Sequence, residues 1–281
     1  MMNRKARDLL DKLLLRYIPL TLLLAFVMIP LLWTVSLSFK YSSDIVSESF
    51  SLLPNPFTFS NFTDAWSSGR ISRYFTNSLI ISLSAVAVVS VLVLLNGYAL
   101  SRFQFRGKQT FMILMLMTQM LPRIIIISPL YLLMRDLGLV DTYLSVILVE
   151  IASAIPFQTL LMKGFIGGVP KEIDEAAMID GCTRMQILRF VIMPVIVPGI
   201  VTVISFAFIN CWNEYLLPYT FLSTGDKFPI SVGLRYMITQ TTINYGGLAA
   251  GAIIALIPPL CLFGYVQRYL VSGMSAGAIK G

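Results

Sequence analysis

Six side chains able to carry charge or to exchange hydrogen bonds sit inside, or at the edge of, runs that are otherwise apolar: Arg123, Glu150, Asn210, Trp212, Asn213 and Glu214. A charge placed in hydrocarbon costs about 2.5–3.5 kcal/mol on insertion scales, so such groups face a cavity or a partner rather than lipid. Arg123 equally suits an ion pair that holds helices together, and Glu214 a structural contact near an outer interface. Acidic chemistry is concentrated a second time at residues 172–181, EIDEAAMIDG, where Glu172, Asp174, Glu175 and Asp180 make up four of the chain's 14 acidic residues. Other chemistry is excluded by residue type. The chain has no histidine, and hence no imidazole base, metal ligand or proton relay. Cys182, Cys211 and Cys261 are too widely spaced for a CxxC metal site or a disulfide framework. No GxxxxGK[ST] phosphate loop is present: Gly107-Lys108 is followed by Gln109, so the chain does not hydrolyse ATP by itself.

The elements that must position these groups follow from composition. Of 281 residues, 57% are hydrophobic and only 12% charged, with mean hydropathy +0.80, too little polar surface to clothe a soluble domain. A membrane core about 30 Å thick needs roughly 20 apolar residues per helix. Six runs meet that need, near Tyr17–Phe39, Phe75–Leu100, Phe111–Met134, Leu144–Met162, Phe190–Leu217 and Leu248–Leu270. The expected fold is all-α, a polytopic membrane protein of six spans. It comprises a segment 1–16, a membrane domain 17–271 and a tail 272–281, with no second domain and no internal repeat. An even number of spans leaves both termini on one side. With the N-terminus inside, 14 of the 21 Lys and Arg residues fall on the cytoplasmic side and six outside, with Arg123 inside a span. That bias sets the orientation. The formal net charge of +7 therefore reflects topology and a lipid environment, not nucleic-acid binding.

The cytoplasmic connection 163–189 differs from the others. Pro170 suits a helix start, and Glu172, Asp174 and Glu175 are expected in the first turn, against the positive end of the helix dipole. Gly181 can take the left-handed conformation that ends a helix, and Thr183 can cap a second short helix. Ala176 and Ala177 allow close approach of another surface, with Ile173, Met178 and Ile179 supplying apolar contact. The order Glu175-Ala176-Ala177, three residues, Gly181, nine residues, then Val191-Ile192-Met193-Pro194 resembles the EAA signature of ABC importer permeases, Val191 and Met193 standing where the signature has Ile and Leu. Asn77-Ser78, Gly138-Leu139, Asp141-Thr142, Pro156-Phe157, Trp212-Asn213-Glu214, Gln267-Arg268, Gly273 and the ending Gly277-Ala278-Ile279-Lys280-Gly281 look like the carbohydrate-type subfamily, and most like its maltose-type second permease.

The resemblance implies a transport subunit, not an enzyme, in a bacterial or archaeal cell membrane. A homologous second permease, two cytoplasmic ABC ATPase subunits that bind ATP and Mg, and an extracytoplasmic solute-binding protein would be its partners. Residues 172–181 would form the coupling helix, with Glu172, Asp174, Glu175, Ala176, Ala177, Asp180 and Gly181 at the ATPase. Carbohydrate would cross by alternating access. Because fourth- and fifth-span residues line the path in that family, Glu150, Asn210, Trp212, Asn213 and Glu214, with Arg123, are the candidate path residues: carboxylates and amides for hydroxyl groups, an indole for a sugar face. An ion-coupled transporter is the competing class, and the lack of repeats argues against it.

Overall fold

The computed structural model describes residues 13–46, 51–67, 70–238 and 244–277. Arg4, Lys5, Arg7 and Lys12 of the N-terminal segment, and Ala278 to Gly281 with Lys280, lie outside the described residues. Every element within them is helical. The chain divides into two compact units, Met1–Ile71 with Tyr236–Ala255, and Ser72–Arg235 with Leu256–Gly281.

The first unit contains α1 (Ile18–Ser38) and α2 (Ser60–Ser67). Only 6% of the most apolar stretch of Leu14–Ser38 is covered by the chain itself. Its C-terminal end is held firmly. Asn61 Nδ2 donates to the carbonyls of Ser38 and Lys40 at 3.0 and 2.7 Å, satisfying acceptors that the last helical turn leaves over. Phe39, Phe57, Phe59 and Phe62 stack around that knot. The stretch around Pro54 and Pro56 is irregular, with short helices, Ser42–Val46 and α2, on either side of it.

The second unit carries α3 (Ile71–Arg102), α4 (Lys108–Met120), α5 (Arg123–Asp136), α6 (Tyr143–Gly167), α7 (Lys171–Ile179), α8 (Arg184–Val195), α9 (Val197–Asn213), α10 (Leu216–Phe221) and α11 (Ile230–Tyr236). The last helix, α12 (Tyr245–Gly277), runs through both stretches of sequence. Four helices are long and apolar enough to span a membrane without interruption. The third and fifth expected spans are instead bent pairs, α4 with α5 at 99° and α8 with α9 at 86°, giving up to six spans if each pair is one. Proline explains both breaks. Leu121, forced out of helical geometry by the ring of Pro122, is extended at φ −76°, ψ 125°. At the second break Pro198 has no N–H to offer the carbonyl of residue 194, and Ile196 departs from the helix at ψ 15°. Pro129 and Pro156 lie inside continuous helices.

Close packing positions α6 at the centre of this unit. Gly97 of α3 lies against Met162, where a Cβ would come within 2.7 Å of its Cγ, and Gly199 of α9 lies against Phe165, where a Cβ would come within 2.4 Å of the ring. Small residues are what let membrane helices approach so nearly. Gln158, buried on α6 and with its amide oriented to satisfy both ends, donates to Val203 O at 2.9 Å and accepts from Ala207 N at 3.2 Å on α9.

On the loop side of α6, Asp141 takes φ 60° and gathers the 223–227 segment. Its carboxylate accepts from Ser223 N, Thr224 N, Thr224 Oγ1 and Lys227 Nζ, all within 3.0 Å. Burial alone would raise its pKa, but the Lys227 ammonium and the Thr224 and Ser223 donors outweigh that and hold the carboxyl below the usual carboxylate range. The ionised form is therefore the one that stabilises the fold: its contribution is complete above the ordinary carboxylate pKa, about 3.9, and is lost as pH falls through the lower folded value. Asp141→Asn is expected to destabilise the protein by about 2 kcal/mol at pH 7. Thermal unfolding in detergent checks this, and the gap to the parent protein should narrow as pH drops below about 4.

Candidate functional site

The acidic helix predicted over 172–181 is present as α7, Lys171–Ile179. Its end is closed by two reverse hydrogen bonds, Gly181 N to Met178 O at 3.1 Å and Cys182 N to Ala177 O at 3.0 Å. This is the Schellman arrangement, which needs a left-handed residue at the turn. Gly181 supplies it at φ 83°. Thr183 then starts α8 in a reciprocal capping box with Gln186, as its position suggested. Glu172 and Asp174 occupy the first turn of α7, whereas Glu175 falls in the second.

The seven residues grouped on this helix separate into two faces. Asp174 and Ala177 are buried, and Glu172, Glu175, Ala176, Asp180 and Gly181 are exposed, with Ile179 87% exposed beside them. Asp174 points into its own subunit, where Arg102, the last residue of α3, grips it with both ends of the guanidinium: Nε to Oδ2 at 2.9 Å and Nη2 to Oδ1 at 3.1 Å. Arg102 Nη2 also donates to Val169 O at 3.0 Å, and both charged side chains are only 4% exposed. In the sequence Arg102 is one of the 14 Lys and Arg residues assigned to the inner side, with nothing to single it out. Its partner was concealed because the pairing spans 72 positions. The one hint was the i, i+3 spacing of Asp174 and Ala177, which marks an inner face.

The membrane-embedded candidates meet at the break between α4 and α5. Arg123, the first residue of α5, donates through Nη1 to Glu214 Oε2 at 2.6 Å. Glu214 is not in a span: it lies just past the end of α9, and its Oε1 accepts from Leu216 N and Leu217 N at 2.8 and 3.3 Å, closing the start of α10. The helix-tying role considered for Arg123 is thus realised. Arg123, Glu150 and Asn210 line one cavity of about 70 Å³, with Gln119, Ser153 and Phe157. Asn213 is exposed at the end of α9. Trp212 is a departure from the expectation of an open indole face. It is 3% exposed, stacked on Phe208 at 5.5 Å and met edge-on by Phe75 at 5.4 Å, so packing uses the surfaces a sugar ring would need.

Breaking the Arg102–Asp174 pair from one side would strand a buried charge, a loss of about 3–5 kcal/mol. Arg102→Ala should accordingly loosen α7, measured as faster limited proteolysis within 163–189, whereas Arg102→Met combined with Asp174→Leu should recover most of the protection.

Comparison with known proteins agrees with this architecture. Residues 94–276 match the family described as the binding-protein-dependent transport system inner membrane component. The diacetylchitobiose uptake system permease protein DasC of Streptomyces coelicolor is 34% identical, over 90% of this chain and 91% of its own. The maltodextrin transport system permease protein MdxG of Bacillus subtilis is 33% identical over the full length of both. The crystal structure of a bacterial ABC transporter involved in import of the acidic polysaccharide alginate superposes with a TM-score of 0.83 at 23% identity, covering 96% of this chain and 99% of that one, which speaks to the fold. With the family model spanning more than half of its residues, and relatives above 30% identity along nine-tenths of its length, the chain belongs to the inner-membrane permease components of binding-protein-dependent ABC transport systems.

Proposed function

We propose that this permease imports a carbohydrate by alternating access, driven by two separate cytoplasmic ABC ATPases that bind ATP and Mg and that dock on α7. The observation that carries the reading is the division of α7 into two faces. Asp174 and Ala177 anchor it inward, while Glu172, Glu175, Ala176 and Ile179 are left exposed. An exposed apolar side chain flanked by small and acidic residues, on a helix fixed from behind, suits a rigid body that pushes and is pushed. Its motion would reach the membrane through Arg102, since a bidentate buried pair transmits displacement with little slack. Glu175 faces the ATPase in this reading, and Gly181 holds the turn. A homologous second permease and an extracytoplasmic binding protein complete the assembly, both termini lie in the cytoplasm, and the compartment is a bacterial or archaeal cell membrane. The inward bias of Lys and Arg supports that orientation. The uptake of diacetylchitobiose and maltodextrin named for two relatives supports a glycan as cargo.

The test is reconstitution of the complete transporter in proteoliposomes. Glu175→Ala should reduce both glycan uptake and binding-protein-stimulated ATP hydrolysis while the subunits still co-purify. Gly181→Ala, which meets no neighbour within 4 Å but sits at φ +83°, should do the same through backbone strain of about 1 kcal/mol. Undiminished uptake and stimulated hydrolysis in both variants would remove α7 from the coupling role.

A further inference from the structure

The stretch that joins α3 to α4 is cationic and aromatic. No Asp or Glu occurs between Asp64 and Asp136, whereas Arg102, Arg106 and Lys108 fall close together. Arg102 is committed to Asp174, but Arg106 and Lys108 form no ion pair among the described residues. Lys108 Nζ donates to Phe103 O at 3.0 Å, which uses one of its three N–H groups and leaves two. Phe103 is fixed in turn. Tyr98 meets it edge-on at 6.0 Å, and the Arg184 guanidinium at the start of α8 lies 5.6 Å from its ring. Next to this anchored residue the connection is open: Gln104, Phe105, Lys108, Gln109 and Thr110 line a recess of about 480 Å³. Small-molecule sites occupy about 300–1,000 Å³, so the space is adequate for a headgroup. Two amides, a hydroxyl and an ammonium in its wall can all donate hydrogen bonds, and none of the lining residues is acidic. Phe105 and Phe111 are 47% and 46% exposed.

Position selects the occupant. The recess lies where one span has ended and the next apolar run begins, which is the depth of lipid headgroups. There an anionic bilayer surface favours each Lys or Arg by about fivefold in affinity. Exposed phenyl rings suit the acyl boundary beside it, a contact that an acidic surface of an ATPase subunit would not use. We propose that residues 104–112 form a binding site for an anionic phospholipid. Lys108 and Arg106 hold the phosphate, Gln104, Gln109 and Thr110 bond headgroup oxygens, and the acyl chains lie along Phe105 and Phe111. The site is independent of the cargo and of the docking face on α7.

Native mass spectrometry of the assembled transporter in detergent, titrated with phosphatidylglycerol or phosphatidylcholine, tests it. The parent should bind phosphatidylglycerol about thirtyfold more tightly at its strongest site. Arg106→Gln combined with Lys108→Gln should remove that preference and leave phosphatidylcholine binding unchanged. Arg106→Lys combined with Lys108→Arg should keep most of it. Arg16→Gln combined with Lys163→Gln, which removes two charges elsewhere on the same side, should leave it intact, and soluble glycerol phosphate at equal concentration should not displace the lipid. A preference unaltered by the double Gln variant, or lost as fully in the charge-conserving or the Arg16 and Lys163 variant, overturns the site. Displacement by glycerol phosphate makes a soluble phosphate ester the ligand and overturns the lipid assignment. Loss of an ATPase subunit from the double Gln variant, with lipid preference kept, assigns the patch to a protein contact and overturns it as well.

Discussion

A single ion pair decides how the short helix α7 and a membrane span share their position. Arg102 ends α3, Asp174 belongs to α7, and their two charged hydrogen bonds are closed off from solvent. Desolvating both groups is costly, and a hydrophobic pair of similar shape would often hold as well or better. What the ions add is geometry. A planar guanidinium facing a carboxylate has one good orientation, and the additional bond to Val169 O fixes the backbone just before α7 begins. The exposed face of α7 is thereby presented in a set direction.

Packing of the same kind, small and specific, organises the rest of the second unit. Gly97 and Gly199 bring α3 and α9 against α6 closely enough that neither could carry a side chain without displacing a neighbour. Gln158 reaches across and joins α9 through backbone groups a turn apart. Asn77 reinforces the outer edge, donating to Asp226 O and Phe228 O and accepting from Tyr143 Oη. Without water to compete for these polar atoms, each satisfied amide becomes a rivet between segments distant in sequence.

How much of this could be read beforehand depended on the range over which each feature acts. The start and end of α7, the turn at Gly181 and the cap at Thr183 are local, decided by residues a few positions apart, and the sequence declares them. The apolar runs were equally plain, as was the need for Arg123 and Glu150 to avoid lipid. Whether a proline bends a span or ends half of it was not legible. Pro156 and Pro122 look alike in the chain, yet one rides inside a continuous helix and the other marks a 99° turn. Trp212 has a related explanation: an indole near Asn210 and Asn213 has the composition of a sugar site, and although Phe208 one turn earlier on α9 is a local stacking partner, the edge-on approach of Phe75 from the distant α3 is what the chain does not declare.

The first helix has a different kind of consequence. Because so little of Leu14–Ser38 is touched by the described residues, its sides hold few contacts among them that would fix a rotation about its axis, and among them it is pinned at its C-terminal end, through Asn61. Such an element behaves as a tethered rod. Lipid tails or a neighbouring subunit determine which flank it shows, so the energy of turning it is stored in its surroundings. A complete description of this helix is therefore a property of the bilayer and the assembly, written only in part in the chain that encodes it.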